Sequence, residues 1–403
     1  MNEIFFSVII PVYNTEQYLK RCFDSFLAQS FDNKKIEMVV VNDGSPNVAQ
    51  CDEIISAYKK KLNISYLKLE NNLGTHIART RGVENATGKY LLFIDPDDYL
   101  VKEALEILYN NIQTNGDADY IWFFFNVLHE NGKKEISDSI KDIQNEHVLE
   151  DMLTFKVSHS VANKCFNASF AKKVWNKMTY FYAYYNEDYY QMAILHYMAK
   201  KKRVIKKPLY VYVQGVGITG VEKYTEEKLK RTILSIYNVD MYLCSFYEDE
   251  NCYSYIPLIR RYSNRLYIDC IFRSILKDFI SVATEILGEE CVNILIARYI
   301  LKLCEQISFY KKREKYFFLI ILCCSFICKA PKNDKEKYNI EKIINISTGT
   351  FKDNVTENDI FECVSCLEAE ILFYQVRARF YAPIKFILRP FKLVYEYMFR
   401  RNV

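Results

Sequence analysis

Three carboxylates within four positions, Asp95, Asp97 and Asp98, close the stretch "KYLLFIDPDDYL" that begins at Lys89. The apolar run before them suits a buried strand, whereas aspartate is a poor strand former and costly to bury without a counter-charge. With no cation adjacent in sequence, a divalent ion from outside is the expected partner. Mg²⁺ and Mn²⁺ prefer such oxygen ligands and keep several waters. The same DPDD also suits a turn and helix cap ahead of Lys102. A second acidic pair, Glu187 and Asp188, opens "EDYYQMAILHYMA". A helix start there keeps a carboxylate ionised, as a general base requires, although acidic residues in a first turn are ordinary capping as well.

The elements that position these groups alternate. "FFSVIIPV" reads as a strand covered on both faces. Leu19, Cys22, Phe23, Phe26 and Leu27 then fall on one helical face, with Asn14 and Gln17 as a capping pair. The unit repeats through strands from Ile36, Ile64 and Tyr90, each followed by a helix, to a fifth strand from Tyr120. Alternation implies an α/β fold with parallel pairing and right-handed crossovers. The loops at Pro11 to Asn14, Asn42 to Ser45, Asn71 to Gly74 and Asp95 to Asp98 then share the edge where such sheets bind ligands. They contain neither GxGxxG nor GxxxxGK[ST], which disfavours a dinucleotide site or a P-loop.

Composition sets limits. A chain of 403 residues, half hydrophobic and a quarter charged, is a folded protein, and a net charge of +4 gives no argument for nucleic acid. The 13 scattered cysteines read as reduced core residues of a cytosolic protein, Cys363 and Cys366 included. The N-terminus lacks a basic region and is not expected to be a signal peptide. No run reaches the roughly 18 apolar residues of a membrane span.

The blocks "SVIIPVYN", "YLKRCFDSFLAQS", "MVVVNDGS" and "NLGTHIARTRGVENATGKYLLFIDPDD", in this order, resemble the nucleotide-binding half of glycosyltransferase family 2, inverting enzymes with a GT-A fold. A shorter continuation, "VANKCFNASFAKKVWNKM", "YYNEDYYQMAIL" and "KPLYVYVQGVGITG", carries the likeness to about Gly220. The resemblance implies a Rossmann-like sheet with helices on both faces. Asp43 would contact the nucleotide base; Pro11, Tyr13 and Asn14 would line its pocket, and Arg79 of "ARTRG" would reach the nucleotide. It implies Asp97 and Asp98 as the groups for metal and ribose, supported by Asp95. Asp188 is then the base, and Glu187 orients the acceptor or the loop. Thr80 stands where the family has asparagine. Lys164 is read as structural rather than facing the diphosphate, and His76 as a surface or helix-start residue.

The resemblance implies transfer of one sugar from a nucleoside diphosphate sugar, UDP-linked, to a glycan or lipid-linked glycan acceptor in surface polysaccharide synthesis. Residues 1–222 would form the GT-A domain, 1–100 holding the donor and 101–222 the acceptor, and 223–403 a helical accessory domain. That domain serves the acceptor, self-association as a homodimer, or membrane contact. The terminal "APIKFILRPFKLVYEYMFRR" combines basic and aromatic residues, as a helix on the inner membrane face would, or docks onto the protein. A competing reading is a non-catalytic sugar-binding scaffold that kept the fold. A nucleotidyltransferase lacks support because its glycine- and arginine-rich loop is missing.

Overall fold

The computed structural model describes residues 3–295 apart from 130, 138–146, 155, 184, 216–224, 274–275, 289–290 and 293–294. The Cys363 and Cys366 pair and the terminal basic-aromatic segment lie outside the described residues. Two compact units divide the chain, residues 1–222 with 238–262, and residues 223–237 with 263 onward.

The apolar runs fold as the sequence implies. β1 (Phe6–Val12) and β2 (Ile36–Asp43) are buried along their whole length, as strands covered by helices on both faces must be. Between them α1 (Glu16–Leu27) buries Leu19, Cys22, Phe23 and Phe26. α2 (Val48–Tyr58), β3 (Ile64–Leu69), α3 (Thr75–Asn85) and β4 (Tyr90–Phe93) complete the repeat. β1 pairs in parallel with both β2 and β4, and β2 with β3. Parallel pairing gathers the loops after these four strands on one edge, the rim that carries Tyr13, Asn14, Asp43 and the DPDD turn.

Beyond β4 the sheet is mixed. A two-residue strand β5 (Tyr99–Leu100) and α4 (Ala104–Asn115) lead to β6 (Tyr120–Leu128), β7 (Lys134–Ser137), α5 (Val148–Leu153), β8 (Lys164–Asn167), α6 (Ala168–Trp175), α7 (Glu187–Met198) and β9 (Lys202–Val213). The strand order is β3-β2-β1-β4-β8-β6-β9-β5, with β7 beside β6. β6 therefore does not join β4 directly: the short β8 lies antiparallel between them, and β5 is antiparallel to β9. The five expected strands do run the same way, since β8 is antiparallel to both β4 and β6, but the intervening strand is not foreseen because "KCFN" is too short to announce one. β8 still has consequences, since Lys164 at its start lies at the same rim.

Two local expectations are corrected. The residue before α1 is Thr15, without a side-chain cap; Asn14 adopts φ 53° and donates its N–H to Ser45 Oγ at 3.2 Å, so it serves the rim rather than the helix. DPDD does not cap the next helix either. It forms a turn closed by Asp98 N–H to Asp95 O at 3.0 Å, and β5 intervenes before α4.

Glycine decides how closely α3 approaches the sheet. A Cβ on Gly82 would lie 2.3 Å from Ile9 Cγ2, so only glycine lets this face of α3 rest on β1. After β9, α8 (Glu226–Asp249), α9 (Ile256–Arg273) and α10 (Leu276–Leu287) are helical, as the glycine-poor sequence implies. No helix among the described residues is long and apolar enough to cross a membrane.

Gly82→Ala is expected to destabilise the protein by about 1–3 kcal/mol through overpacking, against the roughly 1 kcal/mol of helix propensity that alanine adds. Denaturant unfolding measures the difference, and an unchanged or raised midpoint would show that Ile9 yields without cost.

Candidate active site

The rim is built around one buried cation. α3 presents Arg79, whose guanidinium is only 2% exposed, into the gap between the DPDD turn and the start of α7. Arg79 Nη2 lies 3.2 Å from Asp95 Oδ1, and Nη1 bonds Asp188 Oδ1 and lies 3.3 Å from both Glu187 Oε1 and Gln191 Oε1. Burial works against the charge on Arg79, but Asp188, Asp95 and Glu187 outweigh it and hold the proton more firmly than usual. The resemblance implied an arginine reaching the nucleotide. In the structure its terminal nitrogens are engaged by the protein's own acceptors, and it supplies Asp95 with the counter-charge expected from outside.

Asp97 and Asp98 have no such partner. Asp98 is 1% exposed; its Oδ2 accepts from Tyr210 Oη at 2.5 Å and its Oδ1 from Val213 N–H at 2.8 Å, which ties the turn to β9. Burial, with the charges of Asp95 and Asp97 added, pushes the Asp98 carboxyl up to about 8. Asp97 is partly exposed and forms no ion pair among the described residues, while its carbonyl oxygen accepts from Arg21. Burial and Asp95 push its carboxyl up to about 6. These are oxygen donors in excess of positive charge, a set that suits a hard divalent cation. Among the described residues no three His, Cys, Asp or Glu side chains converge on one point. An ion held there would take most of its oxygens from water and ligand.

Asp43 is buried, and its two oxygens accept the backbone N–H groups of Leu73 and Gly74 at 2.8 and 2.9 Å. Gly74 has φ +90°, and a Cβ there would meet Ala183 O at 2.5 Å. Asp43 therefore braces the loop before α3. Tyr13 and Asn14 are exposed beside it and Pro11 is buried within β1.

Glu187 and Asp188 occupy the first turn of α7, preceded by Asn186 at φ 67°. Asp188 Oδ2 accepts the Val161 N–H at 3.3 Å. Burial foremost, and then Asp188, push the Glu187 carboxyl up to about 7. His76 is not a surface residue: it is fully buried, with Nε2 2.9 Å from Thr179 O and Nδ1 3.0 Å from Gln191 Nε2. Burial lowers it to about 4, so it is a neutral brace between α3 and α7. Sequence reasoning missed Gln191, Tyr210 and Arg21. Gln191 lies one helical turn from Glu187, the only signal it offered; the other two carry none.

Removing Arg79 leaves buried carboxylates without compensation. Arg79→Met should cost about 3–5 kcal/mol in denaturant unfolding, and a variant as stable as the parent would mean that the carboxylates have another partner. Glu187 makes a pH prediction. Below its ordinary value of 4.5 the group is protonated whether the chain is folded or not, and between 4.5 and about 7 only the folded state keeps the proton. Stability from this group is complete below 4.5 and is lost as pH rises through about 7. Thermal unfolding of Glu187→Gln should therefore lose less stability than the parent between pH 4 and pH 8; parallel curves would assign the loss elsewhere.

Comparison with known proteins finds the following similarities. Residues 7–179 match the profile "Glycosyl transferase family 2". The chain is 29% identical over 219 residues to Glycosyltransferase GlyA of Streptococcus pneumoniae, covering 51% of this chain and 30% of GlyA. It is 39% identical over 102 residues to the poly(ribitol-phosphate) beta-N-acetylglucosaminyltransferase TarS of Staphylococcus aureus, covering 25% of this chain and 18% of TarS. The chain thus spans under a third of either relative. The crystal structure of S. aureus TarS 1-349 in complex with UDP-GlcNAc is similar at a TM-score of 0.48 and 21% identity, over 88% of this chain and 95% of that one. The matched residues run along the rim from β1 through the DPDD turn to the approach to α7.

Proposed function

We propose that the protein is an inverting glycosyltransferase that moves one sugar from a UDP-sugar to a glycan or lipid-linked glycan acceptor in surface polysaccharide synthesis, at the cytoplasmic face of the membrane. The observation that carries this reading is the Arg79 cluster, which joins an acid of the DPDD turn and the acid pair of α7 through one guanidinium. A donor-side acid and a candidate base thus meet at the rim where open α/β sheets bind ligands.

Transfer needs neutralisation of the leaving group, a seat for the nucleotide and a proton acceptor. The leaving diphosphate gains negative charge as the bond to the anomeric carbon breaks, through an oxocarbenium-like state. Mg²⁺ or Mn²⁺, held by Asp97 and by what acceptor capacity remains on Asp98, would neutralise that charge when bound. Tyr13 and Asn14 are exposed beside the base pocket, and Asp43 fixes its backbone.

The third need is a base. Asp188 takes the proton of the acceptor hydroxyl; that oxygen bonds to the anomeric carbon on the face opposite the diphosphate, which leaves with the electron pair of the broken bond. Arg79 keeps one Asp188 oxygen oriented, and Glu187 beside it orients the incoming hydroxyl.

Asp97→Asn tests the reading. With UDP-GlcNAc as probe donor and Mn²⁺ at saturation, hydrolysis to UDP should fall by about 10²-fold or more, on the scale of losing one charge-stabilising group. Undiminished hydrolysis would remove the metal role from Asp97.

A further inference from the structure

Lys164 is fully buried, and no carboxylate is bonded to it among the described residues. Its Nζ donates to the carbonyl oxygen of Ser160 and to Asn163 Oδ1 at 2.9 Å, and it lies 3.9 Å from the centre of the Trp122 ring. Asn163 is fixed in turn, since its Nδ2 donates to Phe123 O at 3.1 Å. A buried amine is costly to keep, and an apolar side chain would pack between β6 and β8 without that cost.

The Ser160 carbonyl and the Val161 N–H belong to a single planar peptide unit. Its oxygen is held by Lys164, and its N–H donates to Asp188 Oδ2 at 3.3 Å. We infer that Lys164 is a positioning residue for the base, gripping the oxygen end of the Ser160–Val161 peptide so that the N–H end fixes Asp188. This rests on the reading of Asp188 as base.

The geometry explains why a donor is needed at that place. Arg79 holds Oδ1 of Asp188 from one side, and the Val161 N–H holds Oδ2 from the other, so the two restraints together set the plane of the carboxylate. The neighbouring Ser160 Oγ accepts the Ala162 N–H and Ser158 Oγ the Ser160 N–H, both at 3.2 Å, so the segment is a chain of local bonds whose inward anchor is Lys164. Donor and acceptor at opposite ends of one amide polarise it, which strengthens both bonds. Burial lowers the Lys164 pKa well below its ordinary value, yet the amine donates a hydrogen in either protonation state. Other charged or titratable groups face this pair: Arg79 from α3, Asp95 from the DPDD turn, Glu187 from α7 itself and His159 from the segment before β8, with His196 of α7 facing Lys164.

The test compares Lys164→Met, Val161→Pro and Asp188→Asn in the full chain, with hydrolysis of UDP-GlcNAc in Mn²⁺ followed across pH and UDP binding measured separately. Lys164→Met should lower kcat by about tenfold to a hundredfold with KM and UDP affinity unchanged. It should also move the acid limb of the kcat profile to higher pH by about one unit, because the ionised carboxylate loses a hydrogen bond. Val161→Pro deletes the same N–H with Lys164 in place and should shift the limb alike, which decides the matter if Lys164→Met fails to fold. A Lys164→Met enzyme with the parent's kcat and profile, while Asp188→Asn is inactive, overturns the positioning role and leaves the base standing. So does a loss in Lys164→Met confined to stability and UDP binding. Asp188→Asn with undiminished turnover overturns the base, and this inference with it.

Discussion

One guanidinium sets the terms for the site. Arg79 stands between acids drawn from segments 16, 108 and 109 residues away, and its burial makes those contacts obligatory. A buried ion cluster of this kind is a weak source of net stability, because desolvation consumes most of the attraction. Its effect lies in geometry, since α3, the DPDD turn and α7 can close only in the one arrangement that keeps every charge partnered. The close seat of α3 on β1 at Gly82 and the neutral His76 between α3 and α7 hold the guanidinium at that depth.

Charge left over from this cluster defines what the rim can receive. Asp95 is compensated and Asp98 is bonded to β9, while Asp97 keeps a part-exposed carboxylate with no ion pair among the described residues. Of the three acids, Asp97 alone combines partial exposure with the lack of both an ion pair and a strand partner among the described residues. Under the proposed function, that makes Asp97 the oxygen donor most open to a cation arriving with the donor diphosphate.

Much of this was legible in the residues themselves. Four apolar runs and their spacing gave the parallel half of the sheet, and "EDYY" correctly marked the start of α7. What escaped depends on distance along the chain. The partners of Arg79 could not be inferred from an arginine whose nearest acid in the cluster is 16 positions away. β8 escaped because four residues carry no readable period. The same holds for Glu37, which accepts from Ser7 Oγ in β1 and from Thr87 Oγ1 at 2.9 Å; three residues with separate local roles join only when β1 and β2 lie side by side.

The Asp43 brace bears on how such a pocket can diversify. The carboxylate reads the main-chain amides of Leu73 and Gly74, and the Leu73 side chain projects outward, 39% exposed. Exchange at position 73 therefore alters what an entering ligand meets while the scaffold beneath stays indifferent. Tyr13, 37% exposed, has the same liberty on the facing strand end. Under the proposed function, selection for a changed donor would begin at these two side chains, which take no part in the Asp43 brace.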